Sequence, residues 1–120
     1  MERKYDLESR LITFASEVIS FTDSMISSKA GNHMSNQLLR SGTSPALNYG
    51  EAQSGESRKD FIHKLKIVLK ELRESRVALK IISKSKLHQD PSLIEKLIDE
   101  CNQLISIFVK SIETAGRNNY

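Results

Sequence analysis

Tryptophan is absent from the 120 residues, and cysteine occurs only once. Each shortage removes a class of function. A lone thiol, Cys101, forbids an internal disulfide and any site built on several cysteine ligands, and it fits a reducing compartment. No apolar run approaches the ~20 residues that a membrane span needs. The opening Met1-Glu2-Arg3-Lys4-Tyr5-Asp6 leads into a charged amphipathic stretch rather than the apolar core of a secretion signal. The expectation is a cytoplasmic protein that does not enter a membrane. Aromatic residues make up only 6% and apolar residues 38% of the chain. Leu, Ile and Val nevertheless recur along most of its length, so neither disorder nor a fibrous repeat fits. A chain of this size buries roughly two-thirds of its unfolded surface, enough for one core. One domain spanning 1–120 is expected.

No strand alternation is present, but helical periodicity is everywhere. Leu7, Leu11, Phe14, Val18, Phe21 and Met25 repeat at alternating spacings of four and three, which predicts a helix capped by Asp6. A second row, Ile12, Ala15, Ile19 and Ile26, broadens its apolar stripe enough to touch two neighbours. Lys29-Ala30-Gly31 reads as the stop. Asn32 is the expected cap of a second helix carrying Met34, Leu38, Leu39, Leu47 and Tyr49, with Pro45 expected to kink or briefly break it. Its many small residues allow another helix to come close. Ser57-Arg58-Lys59-Asp60 has capping-box form ahead of Phe61, Leu65, Val68, Leu72, Leu79 and Ile82, interrupted only by the polar Ser75. Asp90-Pro91 opens a fourth helix, with Gly116 as its stop. Helices at about 6–27, 32–53, 57–86 and 90–115, joined by short connectors, predict an all-α fold, an antiparallel up-down-up-down four-helix bundle. The run Leu104-Ile105-Ser106-Ile107-Phe108-Val109 is apolar on nearly every side. Cover by another subunit is the expectation, hence a homo-oligomer.

Charge is distributed unevenly. Residues 1–55 carry five basic and six acidic side chains, 56–86 ten and four, and 87–120 three and five. The positive charge therefore sits on the third helix. Lys59, His63, Lys66, Lys70, Arg73, Lys80 and Lys84 recur there at spacings of three, four and seven, with Val77 filling the one gap. That stripe lies about 200° from the apolar seam, so it faces away from the core. One reading is a track for the phosphates of structured RNA or DNA, with salt-sensitive and weakly specific binding. The alternatives are an ordinary solvated face or a docking face in a protein–protein interaction scaffold. No aromatic residue interleaves with the lysines, so base stacking is not indicated.

The motifs that would signal an enzyme are missing. Glu71 and Glu74 lie one turn apart on one helix with no convergent partner, as expected of helix-surface charges or partners for an arginine. Asp60-Phe61-Ile62-His63 supplies one carboxylate-x-x-histidine pair where a di-iron bundle needs two such pairs plus two further carboxylates. His33, His63 and His88 are far apart in sequence and are expected to be solvated. Cys101, on an apolar face with Ile94, Leu97, Leu104 and Phe108, reads as a small core hydrophobe. Ser41, Thr43 and Ser44 lack the lysine and strand context of a phosphate loop. No catalytic residue, metal, cofactor or small-molecule substrate is assigned.

The run Gln37-Leu38-Leu39-Arg40-Ser41-Gly42-Thr43-Ser44, followed by Asn48, Glu51 and Ala52, then Ser57 to Ile67 and finally Glu71 and Glu74-Ser75, resembles the 23S rRNA intervening-sequence protein family. The resemblance implies a four-helix bundle, a cyclic pentamer and a bacterial cytoplasmic setting. It implies little chemistry. Arg40, Ser44, Asn48, Glu51 and Glu74 match family positions, and as polar groups beside the core they suggest a hydrogen-bonded network. Within it, Arg40 is expected to pair with Glu74 or Glu51, since an arginine near an interface calls for a planar anionic partner.

Overall fold

The computed structural model describes residues 3–55 and 57–117, with side chains from Leu7 onward. Four helices follow one another: α1 (Arg3–Asp23), α2 (Lys29–Gln53), α3 (Arg58–Lys84) and α4 (Pro91–Arg117). The chain is all-α. Cross-helix contacts give the direction of each pair, because residue numbers rise along one helix as they fall along its neighbour. Val18 meets Gly42 and Thr22 meets Ser35 between α1 and α2. Arg40 reaches Glu74 while Glu51 reaches Lys64 between α2 and α3. Leu72 meets Cys101 between α3 and α4, with Arg76 and Asn102 beside them. Arg10 meets Glu100 and Phe21 meets His88 where the last helix returns to the first. All four pairs are antiparallel.

Helix ends follow local capping rather than the ends of the apolar pattern. The Ser28 hydroxyl accepts from the Gly31 N–H at 3.0 Å, so α2 starts at Lys29 and not at Asn32. Lys29-Ala30-Gly31 is thus a first turn instead of a stop. α1 ends at Asp23, earlier than expected, because Ile26 leaves the helix to donate its N–H to the Leu87 carbonyl at 2.9 Å. Ser57 caps α3 by accepting from the Asp60 N–H at 3.1 Å, and Asp90 caps α4 by accepting from the Leu93 N–H at 3.1 Å. Gly116 lies inside α4. Pro45 does not break α2. It is buried, as are Ser41 and Tyr49 a turn to either side, and this packing carries the helix across the missing donor.

The core is one cluster running from Leu11, Phe14, Val18 and Phe21 through Leu38 and Tyr49 to Leu65, Leu72, Leu79, Leu97, Leu104 and Phe108. Tyr49 and Phe108 meet edge to face across it, with ring centroids 5.6 Å apart. Gly42 lets α1 and α2 close up, since a Cβ there would lie 2.9 Å from both Val18 methyls. Cys101 is fully buried, and its thiol lies 3.1 Å from the Leu72 carbonyl. Burial, ahead of the nearby charges of Arg76 and Glu100, pushes that thiol up to about 12.

Two packing expectations need correction. Ile12, Ile19 and Ile26 are 55%, 47% and 36% exposed, so the second apolar row of α1 does not enter the core. The flank of α1 that meets α4 carries Arg10, Thr13 and Glu17, so the isoleucine row lies on the other flank and a single seam suffices for α1. In the apolar run of α4, Leu104, Ile105 and Phe108 are buried, while Ile107 and Val109 are half-buried and Ile107 lines an open groove of about 520 Å³ with Phe61, Leu65 and Ala115. His88 is buried, not solvated. Its ring stacks on Phe21 at 3.9 Å, Nδ1 accepts from the Asp90 N–H at 3.1 Å, and Nε2 lies 3.2 Å from the Phe21 carbonyl. Since an amide can only donate, the proton resides on Nε2 and points to that carbonyl. A neutral imidazole with both nitrogens bonded can be buried at little cost.

Candidate nucleic-acid interface

α3 sets the geometry of the basic stripe. Its inner side holds Leu65, Val68, Leu72, Leu79 and Ile82, all at most 1% exposed, which turns the opposite side to solvent. Lys59, His63, Lys66, Lys70, Arg73, Lys80 and Lys84 are every one exposed. Among the described residues, none of the seven forms an ion pair or a side-chain hydrogen bond. Two of the three carboxylates of α3 are taken, and the third, Asp60, stands exposed at the start of the helix. Glu71 and Glu74 bond to Arg40 on the α2 flank. Other cations of α3 are also engaged, Lys64 with Glu51 and Arg76 with Asn102 at 2.8 Å. From Lys59 to Lys84 the stripe runs about 38 Å at 1.5 Å per residue.

The ends of the stripe differ. Near the start of α3, Lys59, Ile62, His63 and Lys66 line an open cleft of about 410 Å³ with Gly116 of α4. Toward the other end, Val77 and Ile81 stand 54% and 43% exposed beside Arg73, Lys80 and Lys84. Periodicity located the cations. It did not separate these two halves, because Val77 alone looks like a gap in the pattern and Gly116 reaches the cleft only through the antiparallel return of α4.

The five polar residues of α2 and α3 divide into three groups rather than one network. Arg40 forks between Glu71, at 3.2 Å, and Glu74. The hydrogen bond and charge of Glu74 do most to raise the guanidinium pKa, with Glu71 adding to it. Asn48 donates to the Ser44 hydroxyl at 2.9 Å and to its carbonyl at 3.1 Å, a contact within α2. Glu51 accepts from Lys64 instead of Arg40. A fourth link was missing from the sequence reading. Ser75 lies 2.9 Å from Ser41 and 3.0 Å from the Glu71 carbonyl, so it donates to that carbonyl while accepting from Ser41. The polar interruption of the α3 seam is thus a buried bridge to α2.

The model of the 23S rRNA-intervening sequence protein family matches residues 3–110. The chain belongs to that family. A crystal structure of a protein of unknown function from the S23 ribosomal protein family of Bacteroides thetaiotaomicron matches this family member with a TM-score of 0.81 at 27% identity, covering 88% of this chain and 97% of that one. None of the curated proteins matches it. No helix among its described residues is long and apolar enough to cross a membrane, and no three of their His, Cys, Asp and Glu side chains group as metal ligands would.

Proposed function

We propose that this chain is a non-enzymatic, oligomeric helical bundle of the bacterial cytoplasm that binds structured RNA or DNA through the outer face of α3. One observation carries the reading: six permanently charged side chains, Lys59, Lys66, Lys70, Arg73, Lys80 and Lys84, stand exposed in one line with no described carboxylate paired to them. Unpaired cations on a rigid rod attract phosphates because neutralisation releases condensed counterions, a gain that ignores base identity. In the cyclic pentamer implied by family resemblance, five stripes would sum their fields, which a single chain of net charge +3 could not match. A non-enzymatic role is favoured by the buried, protonated thiol of Cys101 and by histidines that do not converge.

Fluorescence anisotropy with a labelled RNA or DNA duplex at two salt concentrations tests the proposal. Binding should weaken steeply with salt, and Lys66→Glu with Lys70→Glu should abolish it and flatten the salt slope. Absence of binding at low salt, or binding indifferent to both reversals, removes the nucleic-acid reading. A second reading, a protein–protein scaffold, is favoured by the exposed Ile12, Ile19, Val77 and Ile81. It is the reading that survives if the duplex does not bind.

A further inference from the structure

We propose that the exposed isoleucine row of α1 docks against the α2–α3 groove of a second copy of this chain, head to tail, so that only the first half of the basic stripe remains for nucleic acid. This rests on the oligomer proposed above and specifies its contact. The two surfaces lie on different sides of the bundle. On α1, Ile12 and Ile19 are two turns apart on the outer face, and Ile26 follows just beyond the helix end. On the other side Met34, Val77, Ala78 and Ile81 line a groove of about 240 Å³, room for a branched aliphatic side chain, whose polar wall includes Ser41 and Glu74.

Charge decides how they pair. The exposed charged side chains of α1 from Leu7 to Asp23 are Glu8 and Asp23, both acidic. Beside Val77 and Ile81 the exposed charges are Arg73, Lys80 and Lys84, and the carboxylate on the groove wall, Glu74, is already paired with Arg40. A symmetric contact of α1 with α1 would set carboxylates against carboxylates, and α3 against α3 would set cations against cations. Either costs free energy when water is excluded. Only the crossed pairing places apolar on apolar and opposite charges at the rim. A crossed contact is heterologous, and repeating it closes a ring or extends a filament. Arg73, Lys80 and Lys84 then have carboxylates of a neighbour at hand, whereas Lys59, His63, Lys66 and Lys70 stay open beside their cleft.

Mass in solution, by light scattering on the full chain, tests this with two surface variants, Ile12→Asp with Ile19→Asp and Val77→Asp with Ile81→Asp. All four positions are exposed, and circular dichroism checks that both variants fold. Each should fall to the mass of one chain. Their equimolar mixture should give pairs of twice that mass, since one variant keeps an intact groove and the other an intact row. Lys66→Glu with Lys70→Glu should keep the wild-type mass while losing the duplex. A mixture that stays single-chain, or a variant that keeps the wild-type assembly, overturns the docking and leaves the oligomer standing. A wild-type mass of one chain overturns the oligomer itself.

Discussion

α3 turns two unlike faces outward from one backbone. Toward the core it carries Leu72, Leu79 and Ile82 together with the polar Ser75 and Glu71, and every buried side-chain polar atom among the described residues has a hydrogen-bond partner. Toward solvent it carries a stripe of six permanent cations that have none among the described residues. The contrast follows from where water can reach. An unmade bond inside costs about 1–3 kcal/mol, while an exposed ammonium is solvated and waits at no cost. The fold and the proposed binding face therefore lie on opposite sides of the same helix, and substitutions should separate them.

Leu72→Ala should have the largest effect on stability, a loss of about 2–5 kcal/mol in chemical denaturation, because it opens a cavity at a fully buried position. Duplex affinity, measured under conditions where the variant is folded, should be unchanged; a drop would mean the faces are coupled. Ser75→Ala should cost about 1 kcal/mol by stranding the Ser41 hydroxyl, and Ser41→Ala with Ser75→Ala should cost less than the two single changes combined. Strict additivity in that cycle would show that the bridge contributes nothing as a pair.

Cys101 gives a pH-dependent effect. Its folded value lies near 12 against an ordinary 9.0, so the folded state holds a proton that the unfolded chain releases first. Its stabilisation is complete below about 9 and is lost as the pH rises toward 12. Thermal unfolding of the wild type and Cys101→Ala should converge across that window, and the native thiol should resist alkylation at pH 8. Smallest of all, Lys66→Glu with Lys70→Glu should move the denaturation midpoint by no more than about 0.5 kcal/mol. A large loss there would place those lysines in the fold's own energetics.

The helices and their order were legible because Leu11, Phe14, Val18 and Phe21 on α1 and Leu65, Val68, Leu72, Leu79 and Ile82 on α3 obey a period that burial enforces. The outer position of the lysines followed from the same period by subtraction. Other features depend on distance in space. Nothing local distinguishes Ile12, left outside, from Leu11, fully buried, until α4 is in place beside Arg10 and α2 beside Val18. His88 looks like a loop residue until Phe21 slides beneath its ring. Ser75 looks like a flaw in the seam until Ser41 faces it. The α2 cap was missed for a simpler reason: Ser28 and Asn32 are both good caps, and the Leu87 carbonyl, far along the chain, captures Ile26 and fixes the start.

Gly42 has a reach beyond its own turn. With Val18 pressed against its bare Cα, it fixes how far the first rod stands from the second and so at what angle the isoleucines on the far side of that rod emerge. A methyl group added there would act as a shim. It would tilt the outer ridge of α1 without touching it, so that the docking proposed above should weaken through a change at a buried position.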